Sequence, residues 1–274
     1  MVPLSTPHAH TTWVDGRNTA REMIEAAIGK GFQSIGFSEH GVQDFDPDYC
    51  LNREKELAYQ EEIKKLRDEY RDRIRVRLGV ERDAMGTCRR EEYEYAIGSM
   101  HYFRDGAYFF AVDSSPEDVA NGVRRLFDGD ATAMVKAYYA SFARFLTDFR
   151  PDIIGHFDLP TKFNEKHRLF DENAPAYRDA AFACLDAAKE SGGLLEINTG
   201  AIARGWRSKP YPSLRILKRW KELGGSVILA SDCHSAEKLD AGYDIALEAA
   251  RAAGFRSIMA LGCGRTLFEE YGIE

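Results

Sequence analysis

Leu194-Leu195-Glu196-Ile197, Val227-Ile228-Leu229-Ala230 and Ser257-Ile258-Met259-Ala260 are three short, mostly apolar runs, separated by stretches of helical periodicity over 212–223 and 236–253. Such runs are too short for helices and fit strands buried on both faces. Strands joined through helices of this length run parallel, because the helix carries the chain back to the same end of the sheet. The alternation continues toward the N-terminus. Ala20, Met23, Ile24, Ala27 and Ile28 mark a helix over 17–30, ended by Gly31, and Gln33-Ser34-Ile35-Gly36-Phe37-Ser38 follows as a strand. A charged helix over 51–72 precedes Ile74–Val80, and Ala96–Met100 is a further strand. A helix over 132–149 leads into a strand starting at Pro151-Asp152-Ile153-Ile154-Gly155, and a helix over 175–190 leads to Leu194. About seven such units point to a closed or distorted α/β barrel more than to an open sheet.

No linker, low-complexity tract or fixed-period repeat interrupts the pattern, so residues 1–274 read as one domain. An insertion over about 102–131 follows His101, and Tyr102–Asp113 reads as a hairpin turning at Asp105-Gly106. Hydrophobic residues make up 44% of the chain, enough for a sizeable core. A net charge of −7 argues against broad contact with duplex DNA, which needs clustered cations, but leaves room for a small anion where a few cations gather. No apolar stretch reaches the ~18 residues of a membrane helix. Five scattered cysteines without a C-x-x-C pair point to free thiols and a cytoplasmic location.

Six of the seven histidines fall at or just past a strand end: His8, His10, His40, His101, His156 and His234. Barrel enzymes carry their chemistry at that rim. His8-Ala9-His10 sets two imidazoles on one face of an extended segment, since side chains alternate with period two. Asp232-Cys233-His234 does the same with a carboxylate and an imidazole. Such a mixture suits Zn, Fe and Mn. Glu81 follows its strand and is placed to bridge two ions, and Asp15 lies just beyond the His pair. Taken singly, Glu81 also suits a solvent-facing charge, Asp15 a turn beside Gly16, and Asp232 a cap for a helix starting near Ser235. The joint pattern has no such common explanation. His167 sits in a charged loop and reads as rim or surface.

At these residues the sequence resembles the polymerase-and-histidinol-phosphatase (PHP) family of metal-dependent phosphoesterases. The blocks are Pro7-His8-Ala9-His10 with Asp15-Gly16, Gly36-Phe37-Ser38-Glu39-His40, Leu78-Gly79-Val80-Glu81, Gly98-Ser99-Met100-His101, Gly155-His156-Phe157-Asp158 and Ser231-Asp232-Cys233-His234. Within the family it looks most like the histidinol-phosphate phosphatases, through Gly155–Leu159 followed by Lys162-Phe163-Asn164, and Leu195–Thr199 followed by Tyr211-Pro212-Ser213. The resemblance implies a distorted (β/α)7 barrel with three divalent metal ions, Zn, Mn or Fe. His8, His10, Glu81 and Asp232 would hold the first. Glu81, His101 and His156 would hold the second, and Asp15, His40 and His234 the third. Asp15 stands where relatives often carry His, and an oxygen ligand there favours a harder ion.

For a phosphate monoester the expected attack is by a hydroxide bridging the first two metals, with Glu81, Asp232 and His234 as the catalytic set. Arg204 and Lys162 are expected to bind the phosphate, with Arg207 a weaker candidate. Trp206 and Tyr211 either line a pocket or pack their loop. Gly262-Cys263-Gly264-Arg265 reads as a turn that opens a helix. No aspartyl-phosphate, cysteine-phosphatase or nucleotide-loop signature is present. By family analogy the substrate is L-histidinol phosphate, a small phosphorylated molecule of histidine biosynthesis, with no nucleic-acid or membrane partner. Monomer and homodimer are both compatible with the sequence. A nucleotide or other small phosphate is the alternative substrate. A metal-dependent amidohydrolase is the alternative reaction, and a non-catalytic metal-binding module the alternative class.

Overall fold

The computed structural model describes residues 2–274. The chain runs β1 (Ser5–Thr6), α1 (Ala20–Gly29), β2 (Ser34–Phe37), α2 (Arg53–Tyr70), β3 (Arg75–Asp83) and β4 (Tyr95–Ser99). A hairpin of β5 (Tyr102–Asp105) and β6 (Tyr108–Ala111) and helix α3 (Pro116–Leu126) come next. Then follow α4 (Ala131–Phe149), β7 (Ile153–Ile154), α5 (Asn164–His167), α6 (Pro175–Ser191) and β8 (Leu194–Asn198). The last third holds α7 (Gly200–Ala203), α8 (Leu214–Glu222), β9 (Val227–Ala230), α9 (Tyr243–Ala252), β10 (Ser257–Leu261) and β11 (Phe268–Gly272).

One sheet has the order β1-β2-β3-β4-β7-β8-β9-β10-β11, parallel throughout except for the β10–β11 pair. It rolls until β1 returns to β9 and β10. The His10 amide donates to the Cys233 carbonyl at 2.9 Å, the Cys233 amide donates to the His8 carbonyl at 3.3 Å, and the Ser34 hydroxyl donates to the Leu261 carbonyl at 2.5 Å. The seam is one bridge, Ala9 to Cys233, instead of a full ladder, which makes the barrel distorted.

Tyr95, Ile97, Ile153, Ile228 and Leu261 fill the interior. Tyr95 is fully buried, and its hydroxyl donates to the Pro7 carbonyl. Gly36 and Gly79 lie against its ring, where a methyl group at either position would overlap it. Outside the barrel, α4 buries Met134, Val135, Tyr138, Tyr139, Phe142, Phe145 and Leu146. Each large side chain of this kind contributes ~1.5–3 kcal/mol. Helix ends follow local chemistry. Thr19 and Glu22 form a capping box on α1, Ser115 caps α3 ahead of Pro116, and Gly192 closes α6 in the left-handed conformation.

Three expectations need correction. The helix expected over 236–253 begins at Tyr243, after a short 3-10 turn, because Gly242 at φ +78° breaks the helical path. Asp232 is therefore no helix cap. Gly262–Arg265 opens the antiparallel strand β11 and not a helix, and its carbonyls are held by the side chains of Arg75 and Arg77. Among the described residues no helix is long and apolar enough to cross a membrane.

Candidate metal centre

Each strand end delivers side chains to one rim. His8 and His10 leave the segment after β1 on the same side, while Ala9 between them turns into the core. His40 follows β2, Glu81 lies in the second half of β3, and His101 and His156 follow β4 and β7. Asp232 and His234 follow β9. Asp232 adopts φ +46°, a left-handed conformation that Asp tolerates better than most residues and that aims its carboxylate inward.

Glu81 is the centre of the arrangement and is 1% exposed. Its Oε2 lies 2.9 Å from His40 Nδ1, 3.3 Å from His8 Nε2 and 3.6 Å from His10 Nε2. Its Oε1 lies 2.8 Å from His156 Nε2 and 3.5 Å from His101 Nε2. The two oxygens of one carboxylate thus face two groups of imidazoles. Asp232 Oδ1 lies 3.4 Å from His10 Nε2 and 3.8 Å from His8 Nε2. Asp15 Oδ2 lies 2.9 Å from His234 Nε2, and the His10 and His234 rings stack at 4.4 Å.

Three sets have ligand atoms close enough to share an ion: His8, His10 and Asp232; His40, Glu81 and His101; and His10, Asp15, His40 and His234. The donor chemistry fits divalent metal ions. His8 Nε2, both nitrogens of His10, Glu81 Oε2 and Asp15 Oδ1 are buried with no hydrogen-bond partner. Buried polar atoms without partners are costly, and a cation at their meeting point removes that cost.

A second layer of carboxylates, unassigned from sequence, orients the first. Glu196 Oε2 lies 2.9 Å from His8 Nδ1, Glu39 Oε2 lies 3.6 Å from His10 Nδ1, and Asp83 Oδ2 lies 3.2 Å from His101 Nδ1. The Glu196 and Asp83 hydrogen bonds fix the tautomers of His8 and His101 so that Nε2 faces the metal position, while Glu39 faces His10 from beyond hydrogen-bond distance. Glu196, a charge in the middle of a buried strand, was the sequence signal for this layer.

Arg204 NH2 lies 3.0 Å from Asp232 Oδ2, and its NH1 lies 3.0 Å from His234 Nδ1. Lys162 Nζ donates to the Asp113 carbonyl at 2.7 Å and to Asp113 Oδ2 at 3.0 Å. Both line an open cleft with Arg17, Trp206 and Lys238. Arg207 turns away into the protein, where NH1 donates to the Thr161 carbonyl at 2.8 Å, so it is unsuited to touch a phosphate. Tyr211 is fully buried and lines no part of this cleft, while His167 is exposed on α5.

Without metal the cluster stores protons. Burial opposes charge on His8, yet Glu196, Glu81 and Asp232 hold its pKa well above the usual 6.5. Burial is likewise outweighed at His10, raised to about 10 chiefly by Asp232 and Glu39, and at His101, raised to about 9 by Glu81 and Asp83. Asp232 and Glu81 stay ionised despite burial, through Arg204 and His8 respectively. A metal ion needs the lone pairs that these protons occupy. Loading the metal-free protein at pH 7.5 is therefore expected to release about three protons, and apparent affinity is expected to rise as pH climbs toward the raised imidazole values. Titration calorimetry in buffers of different ionisation heat measures this. Identical heats in all buffers would rule it out.

The chain can be compared with known proteins on this geometry. The histidinol-phosphatase of Bacillus subtilis is 26% identical, covering 88% of this chain and 97% of that protein. A protein of Deinococcus radiodurans named probable histidinol-phosphatase is 29% identical, covering 94% and 96%. The crystal structure of histidinol phosphate phosphatase from Lactococcus lactis, complexed with Zn, L-histidinol and phosphate, matches with a TM-score of 0.68 at 20% identity, covering 96% of this chain and 98% of that one. The PHP domain model matches residues 7–200, a span that takes in the strand ends bearing His8 through His156, and the chain belongs to the PHP domain family.

Proposed function

We propose that this protein hydrolyses L-histidinol phosphate to L-histidinol and phosphate, as a cytoplasmic enzyme of histidine biosynthesis. The observation that carries the reading is the division of the Glu81 carboxylate between two groups of imidazoles at a barrel rim. The names of the full-length relatives support the substrate.

His8, His10, Glu81 and Asp232 would hold one divalent ion, Glu81, His101 and His156 a second, and Asp15, His40 and His234 a third. Zn, Mn or Fe held there supplies Lewis acidity, a nucleophile at neutral pH and neutralisation of phosphoryl charge. The chain's own cations do the rest. Arg204 keeps guanidinium donors free after its bonds to Asp232 and His234, and Lys162 keeps one ammonium hydrogen after its two bonds to Asp113. Arg17 and Lys238, which form no ion pair among the described residues, draw an anion into the cleft.

The test is steady-state phosphate release from a panel of phosphomonoesters by protein reconstituted with Mn, Zn or Fe. L-Histidinol phosphate is expected to exceed p-nitrophenyl phosphate and nucleotides by ~10³-fold in kcat/KM, or ~4 kcal/mol of transition-state stabilisation. Equal slow rates on all esters would overturn the substrate. No release with any metal would overturn the phosphatase reading.

A further inference from the structure

We propose that the cavity beneath the β5–β6 hairpin is a subsite for an organic cation, with Asp46 receiving the charge and the rings of Tyr102 and Phe109 forming the wall. The inference rests on the phosphatase reading above and identifies what holds the leaving alcohol.

The cavity measures about 690 Å³, within the usual range for small-molecule sites. His40 and His101 line one end of it, so it opens directly onto the metal centre. Lys162 borders both this cavity and the cleft of Arg17, Arg204 and Lys238. A phosphate at the centre therefore has a basic lobe on one side and an aromatic, acidic lobe on the other. Phosphoryl oxygens belong with the first. The ester substituent is left to the second.

Asp46 is the carboxylate in that lobe whose charge is unmatched. Asp113 is paired with Lys162. Asp118 is exposed and sits in the first turn of α3, where the helix dipole favours a negative charge. Asp46 is half-buried, and among the described residues no basic side chain comes within ion-pair distance of it. Its side-chain partner is the neutral Tyr102 hydroxyl, which donates at 2.8 Å. A half-desolvated carboxylate without a counter-charge is costly, and a bound cation offsets that cost.

The wall is fixed for the same purpose. Phe45 packs edge-on against Tyr102 at 5.3 Å and at a tilt against Phe109 at 4.9 Å, holding both rings in place. Ring faces attract ammonium groups. L-Histidinol phosphate carries a primary ammonium on its leaving alcohol, which matches a carboxylate in an aromatic wall.

The experiment compares kcat/KM for L-histidinol phosphate, its des-amino analogue and p-nitrophenyl phosphate, on metal-loaded wild type, Asp46→Asn and Phe109→Leu. Wild type is expected to prefer the amine-bearing ester over the des-amino ester by about 10²-fold. Asp46→Asn is expected to reduce that ratio at least ~10-fold and Phe109→Leu by a few-fold. Calorimetric binding of L-histidinol should weaken in parallel. If both variants leave the ratio unchanged, or lower both esters equally, the subsite is overturned while the phosphatase reading stands. The same holds if wild type prefers L-histidinol phosphate over p-nitrophenyl phosphate but ignores the amine. If wild type shows no preference for L-histidinol phosphate over p-nitrophenyl phosphate, the assignment of L-histidinol phosphate as substrate fails and the subsite with it.

Discussion

Glu81→Gln is expected to lower kcat for phosphate release at least ~10³-fold, about 4 kcal/mol, and to reduce the metal bound per chain. One buried carboxylate stands among five imidazoles, from His8, His10, His40, His101 and His156. Glutamine keeps the volume but loses the negative charge and presents an N–H pair on one side. Whichever side receives it, one group of imidazoles loses an oxygen acceptor, and the ligand proposed to be shared between two metal positions is gone. The cluster also loses a charge that offsets its imidazolium groups, so the metal-free variant should hold fewer protons at neutral pH. Circular dichroism confirms the fold, metal analysis reads the loading, and phosphate release reads the rate. Activity within tenfold of wild type at full loading would sink the bridging role.

Glu196→Gln is the second large effect, and it acts from outside the ligand set. Glu196 is fully buried and accepts three N–H donors: His8 Nδ1 at 2.9 Å, the His156 amide at 2.5 Å and Asn198 Nδ2 at 2.8 Å. An ionised carboxylate satisfies all three. A glutamine must turn its own N–H groups toward at least one of them, and a buried unsatisfied group costs ~1–3 kcal/mol. Because the proposed ligand sets put His8 and His156 at different metal positions, both should weaken together, with metal affinity falling ~10–100-fold. Asp83→Asn is the comparison, since Asp83 accepts from the His101 amide at 2.6 Å and touches that side alone. Competition with a chelator, read as metal retained per chain, separates the two. Loss confined to one ion in Glu196→Gln would refute the coupling.

Much of the fold was legible because its determinants are local. A strand buried on both faces is a short apolar run, and a helix packed on a sheet repeats its apolar residues at helical spacing. Ser34–Phe37, Tyr95–Ser99, Leu194–Asn198 and Val227–Ala230 all announce themselves this way, and so do α1, α4 and α6. β1, with two residues, is too short to show a period. β11 is polar and half-exposed, and direction leaves no mark in alternation, so its antiparallel return has no sequence signature. The break at Gly242 depends on one left-handed residue inside an otherwise helical pattern.

At the site, sequence by itself determined the kind of chemistry. Imidazoles and carboxylates at successive strand ends must gather at one rim once the strands run parallel, because parallel strands share their C-terminal end. Tertiary structure alone decided how the gathered groups divide the work. His8 and Glu196 are 188 residues apart, yet they share a hydrogen bond because β1 and β8 both feed the rim of one rolled sheet. The same closure brings Arg204 to Asp232, turns Arg207 inward and leaves Asp46 without a counter-ion. Which charges end up paired is a matter of distance and burial in three dimensions, and a one-dimensional pattern carries neither.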